Sequence, residues 1–265
     1  MNFRTWLVNR GKSPHTAEEY DYSVSRYLAF CHDKPSRGTL VKYIEHLIDS
    51  KAAPASISRH YHALRAYFRF LGQPDAADDI VIPPVRSKEA RYIPRADLDK
   101  LMAVSRIPMD RAMVRLLYDA ALRAGEILKV TPADLSASKG FVRIVGGKDR
   151  GPNEADYVPI GDVALNDVLR YVKTANIPAN GRIFPMTYSS LRCRLQRLCR
   201  IAGISQYNLH SLRHGRATEL IVDQGTDLAD ASKFMRHKSI QTTMRYTHIA
   251  PQTLKKRIKP AFEGT

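Results

Sequence analysis

The chain has 265 residues, enough for one large domain or for two modest domains that each bury a hydrophobic core. Its 42 Lys and Arg outnumber its 26 Asp and Glu and give a formal net charge of +16, which indicates a polyanionic partner, most simply nucleic acid. Its three cysteines lack the paired spacing of a disulfide framework or a zinc ribbon, and no apolar run is long enough for a signal peptide or a membrane span, so we expect a soluble, cytoplasmic protein without a metal.

The N-terminal part of the chain is predicted to be helical. A Ser-Pro pair opens a helix over 14–31, the stretch 40–49 forms a second helix, and 55–71 forms a third that ends at a glycine. The aromatic stripe of the third helix is typical of a core, and its opposite face carries Arg59 and Arg65. That basic face either lies on DNA phosphates or is simply solvated.

A change in composition marks the boundary between two predicted domains. Residues 73–94 carry four prolines and several acidic turn residues, which disfavour a continuous helix. We therefore predict a helical domain over 1–72, a linker over 73–92 and a second domain over 93–265, whose last part, 247–265, is a C-terminal tail.

The second domain is predicted to contain further amphipathic helices. Two of them cover 95–104 and 110–130, and the latter is interrupted near Arg123. A later helix, within 186–204, directs its leucines inward and four arginines largely outward: Arg192, Arg194, Arg197 and Arg200. An arginine-rich helix opened by serines suits the major groove of DNA, and a solvated basic face is the alternative.

Between these helices lies the clearest strand pattern of the chain. Residues 141–145 alternate between apolar and polar side chains, 146–151 supply turn residues, and 156–160 form the returning strand. The pattern predicts a β-hairpin with Lys148 at its tip. Taken alone, a lysine there is an ordinary exposed turn residue.

A cluster of reactive side chains begins at His210. His210 and Arg213 lie three residues apart on one helical face with His214 beside them, and a guanidinium next to an imidazole suits a phosphate group. The alternative is a core histidine beside a surface arginine. A metalloprotease-type zinc site is disfavoured, because Ser211 stands where such a helix needs Glu.

A second cluster, R-H-K-S-I-Q-T-T-M-R-Y-T-H, begins at Arg236 and contains Tyr246. Together with the H-S-L-R-H box at His210, it resembles the C-terminal catalytic boxes of the tyrosine recombinases, the phage-integrase and Xer-like family. The A-L-R-A-G-E stretch at 121–126 is similar to the family's T/S-G-L-R-x-x-E pattern without its first glycine, and the G-K pair at 147–148 is similar to the start of its G-K-x-x-K/R-x-x-x-V-P-I stretch. The N-terminal segments RGKSPHTAEEY and ASISRHYHALRAYFRFL resemble the family's core-binding domain.

The resemblance implies a mainly α fold, in which a small helical (SAM-like) core-binding domain precedes an α-rich catalytic domain with a small β-hairpin sheet. It also implies six catalytic residues: Arg123, Lys148, His210, Arg213, His237 and Tyr246. Tyr246 would attack the scissile phosphate and form a 3′-phosphotyrosyl bond. Because a tyrosine hydroxyl, with a pKa of about 10, is a weak nucleophile at neutral pH, His210 would accept its proton, and Lys148 would protonate the leaving 5′-oxygen.

The remaining implied roles concern the phosphate itself. Arg123 and Arg213 would bind its non-bridging oxygens, and His237 would hydrogen-bond it in the transition state. Glu126 would either orient Arg123 or merely balance local charge. His214 would be structural.

The resemblance further implies double-stranded DNA as the partner, bound by a homotetramer that forms on two recombination sites from monomers in solution, with no cofactor. The charge distribution agrees with this partner, since residues 84–265 hold 31 basic and 17 acidic side chains and residues 1–83 hold 11 and 9. The candidate DNA contacts are Arg59, Arg65, Ser189, Arg192, Arg194, Arg236 and Lys238.

The sequence leaves other functions open. A type IB topoisomerase uses the same groups on one duplex, although the short helical N-terminal domain argues against it. A non-catalytic DNA-binding protein could share the fold, although the presence of all six catalytic positions argues against it. The tail over 247–265 either docks on a neighbouring protomer or frays. The target sequence, accessory proteins and the choice between integration, excision, resolution and inversion are not determined.

Overall fold

The computed structural model describes residues 1–85, 91–145, 154–237 and 239–244. The chain divides into two compact units, Met1–Lys88 and Glu89–Thr265. Most of the described residues are helical and the described strands form one small antiparallel sheet, so the predicted mainly α fold is confirmed. Within these ranges, no helix combines the length and apolar character needed to cross a membrane.

The first unit contains the helices α1 (Phe3–Asn9), α2 (Pro14–Phe30), α3 (Arg37–Asp49) and α4 (Pro54–Phe70). Local capping determines where two of them start, because the Ser13 side chain accepts the Thr16 N–H and the Ser36 side chain accepts the Thr39 N–H. The apolar faces of the helices meet in one core, whose largest fully buried members include Leu7, Tyr27, Leu40, Leu64 and Phe68.

The start of the predicted linker packs against the first unit. Pro74–Ala77 form a 3₁₀ turn, Ala77 is fully buried, and the Tyr61 hydroxyl donates to the Ala77 carbonyl at 2.9 Å. The domain boundaries at residues 72 and 92 stay predictions.

The second unit contains eight further described helices, α5 (Arg95–Val104), α6 (Pro108–Tyr118), α7 (Ala124–Ile127), α8 (Asp162–Thr174), α9 (Tyr188–Ile201), α10 (Leu209–Thr218), α11 (Leu228–Phe234) and α12 (Ile240–Met244). A turn of π-helix, Glu219–Asp223, continues α10. The predicted helix over 110–130 is divided, since α6 ends at Tyr118 and α7 begins at Ala124.

The sheet contains β1 (Leu135–Ser136), β2 (Phe141–Val145) and β3 (Ala155–Pro159) in the order β1-β2-β3. The predicted hairpin is present as the antiparallel pair β2 and β3, in which Val142 faces Val158. The short strand β1 was not predicted, because two residues are too few to show alternation. The hairpin tip, including Lys148, lies outside the described residues.

Helix α6 forms the centre of the second core. Its residues Met113, Val114, Leu116 and Leu117 are fully buried. Helix α10 approaches this core so closely that a Cβ at Gly215 would lie 2.6 Å from the Ile93 carbonyl oxygen. The close approach fixes the position of α10, which carries the predicted H-S-L-R-H box.

Candidate active site

The turn between α6 and α7 is built around an alanine in the left-handed conformation. Ala121 has a φ of +46° and is fully buried against Ala217 and Met235. A non-glycine residue in this conformation costs about 1–2 kcal/mol. The turn expected from the family pattern therefore forms although its glycine is missing.

Arg123 is the N-cap residue of α7 and is held by Glu126. The Arg123 backbone N–H donates to Glu126 Oε2 at 2.7 Å, and Arg123 Nη1 donates to Glu126 Oε1 at 2.6 Å. Arg123 Nη2 donates to the Arg236 carbonyl at 2.6 Å. The side chain of Arg123 remains 27% exposed, whereas that of Glu126 is 7% exposed. Glu126 therefore pairs with both the backbone and the side chain of Arg123, and its role in orienting Arg123 stays a prediction.

Arg213 projects from α10 into the same region and is buried, with 3% of its surface exposed. Its Nη1 donates to the Ala121 carbonyl and its Nη2 donates to the Met235 carbonyl. Arg123 and Arg213 are therefore anchored on the consecutive carbonyls of Met235 and Arg236, directly after α11. Two guanidinium groups from distant parts of the chain are brought next to each other in this way.

Arg236 adds a third guanidinium to the cluster. Its backbone φ is +52°, and its side chain is only 5% exposed. Arg236 Nη2 donates to Glu126 Oε2 at 2.7 Å and to the Ala121 carbonyl at 3.1 Å. This placement differs from the predicted DNA contact, because the guanidinium is directed into the protein, where it pairs with a buried carboxylate.

The pKa values in the cluster are shifted because the carboxylate of Glu126 lies close to the guanidinium groups of Arg123 and Arg236. Burial raises the pKa of Glu126, but Arg236 and Arg123 outweigh burial and hold it below its ordinary value. Burial lowers the pKa of Arg236, and the Glu126 carboxylate opposes part of that effect.

Both histidines of the predicted catalytic set share this cationic environment. Partial burial, Arg213 and Arg123 lower the pKa of His210. Burial, together with Arg213 and Arg123, lowers the pKa of His237 to about 4. Both imidazoles are therefore neutral near pH 7, which leaves each one a ring nitrogen able to accept a hydrogen bond or a proton.

His237 and His214 have different surroundings. His237 Nδ1 lies 2.8 Å from the hydroxyl of Thr243, a fully buried residue of α12. His214 is half-buried on α10, its carbonyl accepts the Thr218 hydroxyl at 3.0 Å, and its charge also lowers the pKa of His237.

Three predicted site residues, Lys148, Lys238 and Tyr246, lie outside the described residues. Their neighbours are described: β2 ends at Val145, and α12 ends at Met244. In the described ranges, no group of three or more His, Cys, Asp or Glu side chains could hold a metal ion.

The predicted DNA contacts on α9 separate into two kinds. Ser189 and Arg192 are exposed. Arg194 is directed toward α6 instead, where it pairs with Asp110, whose side chain is 2% exposed, and Arg197 Nη2 lies 3.5 Å from the other oxygen of this carboxylate. Sequence reasoning missed Asp110 as a buried anchor for α9. A carboxylate within the apolar stripe of α6 was the available signal.

The two predicted contacts on α4 are in salt bridges at the surface of the first unit. Arg59 pairs with Glu19 at 2.9 Å, and its side chain is 50% exposed. Arg65 lies 3.5 Å from Asp78, and its side chain is 39% exposed. Exposed pairs of this kind contribute about 0–1 kcal/mol, so both arginines can exchange their carboxylate for a phosphate at little cost.

Comparison with known proteins gives matches over both units. The model of the phage integrase family matches residues 91–253, and the model of the phage integrase N-terminal SAM-like domain matches residues 3–73. Tyrosine recombinase XerA of Thermococcus kodakarensis is 30% identical over 96% of this chain and 92% of that protein. Tyrosine recombinase XerD of Halalkalibacterium halodurans is 28% identical over 91% of this chain and 89% of that protein.

A solved structure agrees in fold. The crystal structure of the XerH site-specific recombinase, bound to a palindromic difH substrate in a post-cleavage complex, matches with a TM-score of 0.73. It is 16% identical and covers 93% of this chain and 80% of that one. At this identity the match shows the shared fold alone.

Proposed function

Because the chain belongs to the phage integrase family and is a tyrosine-type site-specific recombinase, we propose that it cleaves and rejoins double-stranded DNA through Tyr246. In the proposed step, the phenol oxygen of Tyr246 bonds to the scissile phosphorus, and the bond from phosphorus to the 5′-oxygen breaks. The products are a 3′-phosphotyrosyl link and a free 5′-hydroxyl. In rejoining, the 5′-hydroxyl of the same or another strand attacks the phosphotyrosyl phosphorus and releases Tyr246. Because the phosphotyrosyl bond keeps the energy of the broken phosphodiester bond, no external energy source is needed.

The observation that carries this proposal is the common anchoring of Arg123 and Arg213. Each donates one hydrogen bond to one of two consecutive carbonyls, Met235 and Arg236, although Arg123 precedes α7 and Arg213 lies on α10. Two guanidiniums held in this way can bind the two non-bridging oxygens of one phosphate and stabilise the charge that develops in the transition state. Removal of one such donor typically costs about 2.7–4 kcal/mol of transition-state stabilisation.

The proton transfers are assigned to neighbouring side chains. His210 is partly exposed and its pKa is lowered, so the neutral imidazole can accept the Tyr246 proton near pH 7. Lys148 protonates the leaving 5′-oxygen. His237, held by Thr243 at 2.8 Å, hydrogen-bonds the phosphate, and His214 is structural.

The DNA partner, the DNA contacts and the oligomeric state are also proposed on the basis of family membership. We assign a DNA duplex as the partner because the chain belongs to this family and shares its fold with the XerH recombinase, whose solved structure contains its difH substrate. We assign Arg59, Arg65, Ser189, Arg192 and Lys238 as DNA contacts. Four protomers join two sites, and the reaction serves the integration and excision or the resolution of a mobile or replicating DNA element.

A covalent-trapping experiment tests the chemistry. Duplexes that the purified protein selects from a random library are nicked near the cleavage position, so that the 5′-hydroxyl fragment diffuses away and the adduct accumulates. We expect a covalent protein–DNA band on a denaturing gel, with the modification mapped to Tyr246 by peptide analysis.

The matched controls are Tyr246→Phe, which removes only the nucleophilic oxygen, and Tyr22→Phe, which removes the same atom from an exposed tyrosine of α2. The first variant should bind DNA without forming an adduct, and the second should form it normally. Tight DNA binding without any adduct would contradict the proposed chemistry. Relaxation of a supercoiled plasmid without a selected site would instead favour the topoisomerase alternative.

A further inference from the structure

Helix α9 has three distinct sides. Its inner side consists of three buried leucines: Leu191, Leu195 and Leu198. Its open side carries Ser189 and Arg192, which are exposed and lie three residues apart, so they point the same way. Arg194 follows Arg192 by two residues, which places it about 200° further around the helix. Helix α9 therefore cannot present Arg192 and Arg194 to the same surface.

The third side of α9 is held by one carboxylate in the first turn of α6. Arg194 Nε donates to Asp110 Oδ1, and Arg197 Nη2 lies 3.5 Å from Asp110 Oδ2. Both oxygens of Asp110 are thus engaged by arginines of α9. The Asp110 side chain is 2% exposed, and that of Arg194 is 25% exposed. Because a carboxylate buried to this extent is very unfavourable without its cationic partners, the two arginines are held firmly on this side.

This arrangement matters because the surrounding sequence is strongly basic. Residues 84–265 hold 31 Lys and Arg against 17 Asp and Glu. In the ranges that the structure describes, the exposed Arg192 and Arg200 of the same helix form no ion pair. Contacts from cations to phosphates strengthen the binding of every DNA sequence equally and carry no sequence information. An acid that occupies two arginines of α9 therefore lowers non-specific binding more than specific binding.

We propose that Asp110 is a positioning residue that sets the sequence selectivity of the protein. Its carboxylate withholds Arg194 and Arg197 from the DNA phosphates and fixes the rotation of α9, so that Ser189 and Arg192 face the bases. The inference rests on the proposed function, in which these two residues contact DNA. It adds a selectivity role for a buried acid that does not itself touch the DNA.

The first test removes the charge of Asp110 and keeps its size. For full-length Asp110→Asn, we expect tighter binding to a scrambled duplex, with a slope of log K against log salt concentration that is steeper by about 0.9 for each arginine released. The ratio of the dissociation constants for the scrambled and the library-selected duplex should fall several-fold. A role in folding alone would weaken binding and would not steepen the slope.

The matched control is Asp162→Asn, which removes the same charge from an exposed position in the first turn of α8. It should keep the wild-type selectivity. Equal changes in slope and in selectivity for both variants would overturn the proposal, since they would show only an effect of net charge. An unchanged selectivity in Asp110→Asn would overturn it as well.

Two further variants test the pair from its other side. Arg194→Gln should leave the salt slope unchanged on both duplexes, because Arg194 is held by Asp110 and does not reach a phosphate. A slope that is shallower by about 0.9 on both duplexes would make Arg194 a DNA contact and refute the proposal. Asp110→Glu keeps the carboxylate and should retain the wild-type slope, which separates the effect of the charge from that of the substitution. Urea unfolding of each variant checks that the second unit remains folded.

The outcomes separate this proposal from the proposed function. An adduct at Tyr246 in the wild-type protein, together with wild-type selectivity in Asp110→Asn, would refute the role of Asp110 and leave the function intact. Reduced selectivity in Asp110→Asn, with no adduct from the wild-type protein, would support the role of Asp110 and refute the proposed chemistry.

Discussion

At the scale of single residues, the candidate site is a cationic cluster that keeps its histidines neutral. Burial and the nearby arginines lower the pKa of His237 to about 4. The folded protein therefore resists protonation of His237, while the unfolded chain binds a proton near the ordinary pKa of about 6.5. The stabilising effect is fully present above pH 6.5 and is lost as the pH falls toward 4.

This linkage predicts a pH-dependent loss of stability that depends on His237. Between pH 7 and pH 4, the free energy of unfolding should fall by about 2–3 kcal/mol more in the wild-type protein than in His237→Gln. Urea unfolding of both proteins at each pH measures the difference, and the comparison cancels the titration of carboxylates elsewhere. Identical pH profiles would show that His237 is not protected from protonation.

Arg236 is the residue for which the sequence prediction and the structural placement differ most. If its buried pair with Glu126 orients Arg123, then Arg236→Gln should slow adduct formation at saturating DNA and leave the DNA dissociation constant and its salt slope unchanged. Breaking a buried ion pair typically costs about 3–5 kcal/mol, so the variant should also unfold at lower urea.

Arg236→Lys keeps the charge and should recover part of the adduct rate. Arg236→Gln could instead bind DNA more weakly and with less salt dependence, at an unchanged adduct rate at saturating DNA. That result would support the DNA contact that the sequence alone predicted for Arg236. Both measurements use the same nicked duplex as the trapping experiment.

At the scale of secondary-structure elements, the position of α10 depends on Gly215. A Cβ there would meet the Ile93 carbonyl oxygen at 2.6 Å, a backbone atom that cannot turn aside. Gly215→Ala should therefore displace α10, destabilise the protein by about 1–3 kcal/mol and slow adduct formation, because His210 and Arg213 belong to this helix.

The matched control for this prediction is Gly125→Ala in α7. A Cβ at Gly125 would meet no atom within 4 Å, and alanine is the better helix former, so this variant should be as stable as the wild type or up to about 1 kcal/mol more stable. Urea unfolding measures both variants. Equal stability of Gly215→Ala and the wild type would show that α10 can move without cost.

The secondary structure was largely predictable because its signals are local. Pro or Ser at helix starts and alternation in β2 and β3 each lie within a few residues of the element they define. The conformation at Ala121 was harder to predict from the sequence, since its φ of +46° depends on packing against Ala217 and Met235, which are distant in the chain. The carbonyl of Ala121 accepts from Arg213 and Arg236, which helps to hold the alanine in a conformation that it adopts rarely on its own.

At the scale of the whole molecule, the C-terminal tail is predicted to affect the assembly of protomers on DNA. If the tail docks on a neighbouring protomer, deletion of residues 251–265 should reduce the formation of a four-protomer complex on two sites. Binding of one protomer to a single site should change less, because the catalytic residues and the assigned DNA contacts remain. Mobility-shift and analytical ultracentrifugation measurements on the same DNA give the two quantities, and an equal loss of both would reject docking.

The sequence by itself determined the helical character of the chain, the hairpin and the family, because helix caps, alternation and the H-x-x-R-H and R-H-K-S-I-x-T-T-x-x-Y patterns are carried by neighbouring residues. Only the tertiary structure decided which arginines face the solvent. Arg194 pairs with Asp110, 84 residues earlier, and Arg236 pairs with Glu126, 110 residues earlier. A basic residue on a predicted helix or turn can bind DNA or a buried carboxylate equally well, and the choice depends on which acid the fold brings beside it.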